Sequence, residues 1–81
     1  MLTDYIEAAL RHAQYEKLTN GTWYSEIPGL DGLWASGETV EECRTELRSA
    51  LEDWILFGLL NGFPVPPVDG IDLMAAKTKA A

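Results

Sequence analysis

Trp23-Tyr24-Ser25-Glu26-Ile27-Pro28-Gly29-Leu30-Asp31-Gly32-Leu33-Trp34-Ala35-Ser36-Gly37-Glu38-Thr39-Val40-Glu41-Glu42-Cys43 is the stretch that decides the fold. Two apolar, aromatic-bearing runs flank Pro28-Gly29-Leu30-Asp31-Gly32, whose Pro, Asp and two Gly supply the backbone angles of a tight reversal. The pair reads as a β-hairpin. The second run stops at Ser36-Gly37-Glu38. Thr39 and Glu42 then stand at the spacing of a capping box, in which a hydroxyl and a carboxylate satisfy orphan amides of the first helical turn. A strand therefore feeds a helix through a glycine turn.

Downstream, that helix is expected from Val40 to about Leu60. Val40, Cys43, Leu47, Ala50, Leu51, Trp54 and Gly58 recur at steps of three and four, which gives one face that packs on a sheet. Glu41, Arg48 and Glu52 lie opposite, with Arg48 and Glu52 at the spacing of a surface ion pair. The last two turns differ, because Trp54-Ile55-Leu56-Phe57-Gly58-Leu59-Leu60 is apolar nearly all round. A two-layer monomer of this size cannot cover such a cylinder; packing beneath the first helix and the Pro-rich exit is one explanation, and the favoured one reads Trp54, Ile55, Phe57, Leu59 and Leu60 as a self-association surface closing a dimer or tetramer. Asn61-Gly62 stops the helix with residues that tolerate a left-handed backbone. Phe63-Pro64-Val65-Pro66-Pro67 should run extended along the body as a strap. After Asp69-Gly70, Ile71 to Met74 reads as a short fourth strand at the sheet edge, and 75–81 as a frayed, Lys-bearing tail.

Upstream, Thr3 stands where a helix cap belongs, and Leu2, Ile6, Ala9, Leu10 and Ala13 repeat at helical spacing, with Tyr5 beside the stripe. That helix is expected to end near Gln14. Tyr15 to Leu18 alternates as a strand does, and Thr19-Asn20-Gly21 is a hairpin signal joining it to a second strand near Thr22 to Ile27. On the second strand Trp23, Ser25 and Ile27 point one way, and Thr22, Tyr24 and Glu26 the other. Leu33, Trp34 and Ala35 form the third strand. The expected fold is α+β, in two layers, α-β-β-β-α with an antiparallel meander.

Composition bounds what such a domain can do. Eighty-one residues make one domain, near the size at which a single core is barely sufficient. The longest apolar run, Trp54 to Leu60, is far short of the roughly 20 residues that span a bilayer, and no basic start precedes an apolar block, so a cytoplasmic location is expected. The formal charge of −7, with six scattered basic residues, argues against direct nucleic-acid binding, which needs clustered Lys and Arg to displace counterions. Residues 22 to 62 hold eight acids (Glu26, Asp31, Glu38, Glu41, Glu42, Glu46, Glu52 and Asp53) against two Arg. Acidity of that kind serves solubility alone or, on the sharper reading, makes a surface meant for a basic partner. His12 and Cys43 read as structural, and no catalytic, cofactor-binding or metal site is expected, since phosphate loops, nucleophile elbows and paired His motifs are all missing. Metal-assisted phosphodiester hydrolysis would need converging carboxylates, for which Glu16 and Glu26 are the strand candidates.

Pro28-Gly29-Leu30-Asp31-Gly32-Leu33-Trp34-Ala35-Ser36-Gly37-Glu38-Thr39-Val40-Glu41-Glu42-Cys43 resembles the signature of the HicB-like antitoxin family, with Cys43 in the usual small-residue place, and the proline-rich exit after the helix matches as well. The resemblance covers about residues 15–70. It implies a cut-down RNase H-like fold, no enzyme activity of its own, and a type II antitoxin that binds a small basic HicA-type ribonuclease and occludes its active site. Tyr24, Glu26, Asp31, Trp34 and Glu38 are the partner-contact candidates on the hairpin and turn. Better-known members often continue into a DNA-binding domain, whereas eleven residues follow Gly70 here, and many begin directly with the first strand, which makes the N-terminal helix an addition. The alternative reading is a stand-alone, oligomeric HicB-like interaction module with no toxin partner.

Overall fold

The computed structural model describes residues 1–74, and the expected frayed tail, 75–81, lies outside them. The order is α1 (Leu2–Arg11), β1 (Gln14–Lys17), β2 (Trp23–Glu26), β3 (Trp34–Gly37) and α2 (Val40–Asn61). The strands form one antiparallel sheet in the order β1-β2-β3, a meander, with α2 packed across one face, so the expected α+β architecture is present.

Both hairpins are held by more than their turn residues suggest. The first closes through Thr19-Asn20-Gly21: Leu18 N donates to Thr22 O (2.8 Å), Gly21 N to Leu18 O (2.9 Å), and Gly21 sits at φ +87°. This is a three-residue loop ending in a left-handed glycine, and Asn20 Oδ1 accepts from Thr22 N to hold it. The second reversal is a double turn. Leu30 N donates to Ile27 O and Leu33 N to Leu30 O, with Gly29 and Gly32 at positive φ in the third position of each turn. That geometry drives Ile27, Leu30 and Leu33 into the core, so the turn itself is a packing element.

α2 begins as expected. Thr39 Oγ1 accepts from Glu42 N (3.1 Å), and Glu42 reaches back to accept from Glu38 N (3.1 Å), one residue beyond the usual capping-box partner. Gly37 is required just before it, because a Cβ there would lie 2.6 Å from Cys43 N. Cys43, Leu47, Leu51, Ile55 and Gly58 are the buried stripe of α2. The Cys43 thiol lies 3.1 Å from Ser25 Oγ and 3.7 Å from Ala35 O, which accounts for the one buried polar side chain of the sheet. At the far end, Gly62 takes φ +72° and Phe63 N donates to Gly58 O (2.9 Å), with the Phe57 and Phe63 rings in contact. Those are the parts of a Schellman stop and its hydrophobic closure.

Several expectations need correction. α1 has no side-chain cap and ends at Arg11, so Thr3 lies inside its first turn. Tyr5 is the centre of its buried face, while Leu2 is exposed. The Tyr5 hydroxyl explains this, donating to Pro66 O (2.7 Å) and tying the proline strap to α1. Arg48 pairs with Glu7 across the helices (3.1 Å) instead of with Glu52. No fourth strand forms among the described residues. Val68 and Ile71 make a single bridge around Asp69 and Gly70, both at positive φ, and Leu73 and Met74 are helical. Asp69 anchors that turn to the end of α1 through His12 Nε2 (2.7 Å) and Arg11 (3.6 Å). These contacts, the His12 hydrogen bond first, hold its carboxyl below the usual value.

Candidate functional site

The sheet has one covered and one open face, and register assigns each residue to one or the other. Tyr15, Ser25 and Ala35 pair across the strands on the face that meets α2. Their neighbours Gln14, Glu16, Tyr24, Glu26, Trp34 and Ser36 therefore share the opposite face, since alternate residues of a strand point opposite ways. The pairing is Gln14 with Glu26 with Trp34, and Glu16 with Tyr24 with Ser36.

Two aromatic rings form the middle of this face. Tyr24 and Trp34 stack with centroids 6.1 Å apart and planes 21° apart, and Trp34 is 57% exposed. Such a pair is worth about 0.5–1.5 kcal/mol beyond its buried area, so it holds a rigid platform in place without any covering layer. The Tyr24 phenol is held above its ordinary range, first by partial desolvation, then by the Glu26 carboxylate and by Glu16. The face thus joins aromatic surface to two carboxylates, and none of its six side chains is basic.

Positive charge sits elsewhere. All three arginines lie on the helical layer, where Arg11, Arg44 and Arg48 border a groove of about 410 Å³ between α1 and α2 together with Glu7, Leu10 and Thr45. Arg48 is neutralised by Glu7, and Arg44 lies over the Tyr15 ring at 6.0 Å.

Of the five expected partner residues, the structure brings together Tyr24, Glu26 and Trp34. Asp31 is at the tip of the double turn, where its carbonyl accepts from Trp54 Nε1 (3.1 Å), and Glu38 is beyond the other end of β3, beside Glu41, Glu42 and Glu46. Glu16 joins the face in their stead. Its signal is the length of the Thr19-Asn20-Gly21 loop: a two-residue Asn-Gly turn would set Glu16 opposite Ser25, and the three-residue loop sets it opposite Tyr24.

The expected self-association residues also divide. Ile55 is 2% exposed and belongs to the core, because it continues the Cys43-Leu47-Leu51 stripe one turn on. Trp54 and Leu59 are half-buried against the core, while Phe57 and Leu60 are in water, joined by Leu56 and Phe63.

Among the described residues, no three His, Cys, Asp or Glu side chains gather as a metal ion would require, and no helix is long and apolar enough to cross a membrane. Glu16 and Glu26 do share a face, both next to Tyr24, Glu16 across the β1–β2 pairing and Glu26 two residues along β2.

A family model described as UPF0150-like matches residues 4–66, a span that opens inside α1 and closes in the proline strap. The crystal structure of TTHA0281 from Thermus thermophilus is similar to this chain at 44% identity and a TM-score of 0.80, covering 86% of this chain and 88% of that one. Comparison with curated proteins gives no match.

Proposed function

The chain belongs to the UPF0150-like family, and from that premise we propose that it is a HicB-like antitoxin, a cytoplasmic protein that binds a small basic HicA-type ribonuclease and covers its active site. The observation that carries the reading is the open sheet face, where the stacked Tyr24–Trp34 pair is flanked along its β1 side by Glu16 and Glu26 with no basic side chain in the set. Arginine and lysine side chains of a ribonuclease that grips phosphates fit such a face twice over, by pairing with the carboxylates and by lying on aromatic rings. Segregation of the three arginines to the helical layer leaves this face without a positive side chain to oppose a basic protein. The mechanism is occlusion without turnover. The antitoxin takes the cationic groups that would hold RNA phosphates, and the sheet excludes the substrate sterically.

The test is titration of the purified chain into the small basic ribonuclease that co-purifies with it, read as loss of RNA cleavage. Stoichiometric, salt-sensitive inhibition is expected, and the double charge reversal Glu16→Lys/Glu26→Lys should weaken it at least about 30-fold, equivalent to about 2 kcal/mol. Unchanged inhibition by that variant would remove the face from the mechanism. Failure to recover any basic ribonuclease would favour a stand-alone interaction module.

A further inference from the structure

α2 is longer than the sheet it packs on. Twenty-two residues make a rod of about 33 Å, whereas strands of four residues span only about 13 Å. The overhanging end is therefore covered on one side only, by the strap whose Val65 packs on Gly58. Its other side leaves Leu56 56%, Phe57 58% and Leu60 75% exposed, with Phe63 at 52%. These four form one surface, since residues 56 and 60, and 57 and 60, are neighbours on a helix, and Phe57 touches Phe63. The Schellman closure explains why Phe57 and Phe63 meet, but not why both stay largely in water. Beside them a groove of about 490 Å³ runs between Trp54, Phe63, Pro64 and the glycines Gly29 and Gly32.

We infer that this end of α2 joins two copies of the chain in a two-fold pair. Two observations select a second copy as the occupant. The first is charge: Trp54 to Val68 is fifteen consecutive residues without a formal charge in a chain of net charge −7. Two such molecules repel wherever carboxylates oppose, and this surface keeps its carboxylates to the edge, with Asp31 on the groove wall and Glu52 and Asp53 one turn before Leu56. The second is area. The four side chains leave roughly 100 Å² or more each in water, about 400–500 Å² together, on aromatic areas of about 200 Å². With the half-buried Trp54 and the groove walls this reaches about 600 Å² per partner, the low end of specific interfaces. In a two-fold contact the Leu56–Leu60 ridge of each copy meets the groove of the other, so one patch satisfies both partners. This interface is separate from the open sheet face and stands whether or not a ribonuclease binds there.

Light scattering coupled to size exclusion tests the inference on the full chain. The wild type should have at least twice the 9.0 kDa chain mass at micromolar concentration, undiminished in about 1 M salt, because an apolar contact is not screened. Leu60→Glu should halve that mass while leaving the circular dichroism spectrum unchanged, since residue 60 is the most exposed of the patch. Leu56→Glu should do the same if the first variant proves hard to prepare. A monomeric wild type, or a Leu60→Glu protein of undiminished mass, would overturn the inference. So would dissociation by Trp34→Ala instead, which would move the interface to the sheet.

Discussion

The open sheet face and the end of α2 both hold large aromatic side chains in water, yet they do so in opposite electrostatic settings. Tyr24 and Trp34 are flanked along one side by Glu16 and Glu26, whereas Phe57 and Phe63 lie in a span of fifteen uncharged residues. Exposure alone therefore says little about what binds. An aromatic pair beside carboxylates discriminates, since a partner must bring positive charge to compensate the carboxylates it desolvates. One without them asks only for matching apolar shape, which a second copy would supply by symmetry.

The sharpest contrast lies within α2 itself, between Leu47 under the sheet and Leu60 beyond it. Leu47→Ala empties a site that is fully buried and is expected to cost about 2–5 kcal/mol in urea unfolding. Leu60→Ala, at a residue 75% exposed, should cost less than about 0.5 kcal/mol in dilute, monomeric protein. Equal costs at the two positions would mean that the overhanging end is covered within its own chain.

On the sheet, Trp34→Ala removes half of the stacked platform. Its binding to the basic partner should fall by about 2 kcal/mol, as for a central aromatic anchor, with little loss of unfolding free energy because the ring is mostly in water. The smallest effect concerns the phenol of Tyr24. Its folded pKa is raised, so the neutral form is favoured in the folded chain; that contribution is complete below the ordinary value of 10.0 and is lost as pH rises through the folded value. Glu26→Gln should bring the ultraviolet titration of Tyr24 down towards 10.0, while Glu52→Gln, on the helical layer, should not move it.

How much of this is written in the chain varies by element. Thr39, Glu42 and Gly62 announce both ends of α2, because caps are local chemistry with few alternatives. The meander follows from its turn residues. What the chain hides are properties fixed by partners distant in sequence. Tyr5 reads as peripheral because the carbonyl it serves is on Pro66, and Arg48 reads as paired with Glu52 because Glu7 is 41 residues away. Ile55 reads as exposed because an all-round apolar segment hides which side meets the core. The candidate face is legible in Tyr24, Glu26 and Trp34, while Glu16 depends on one residue of loop length, a register choice that flips every side chain of a strand.

The most direct measurement uses two variants in one experiment: light scattering of Glu16→Lys/Glu26→Lys and of Leu60→Glu, each alone and with the basic ribonuclease. The charge-reversed protein should keep its self-associated mass and lose the ribonuclease, and Leu60→Glu should become a monomer that still binds it. Loss of both properties in either variant, or of the opposite property, would contradict the assignment of the two aromatic surfaces to two different partners.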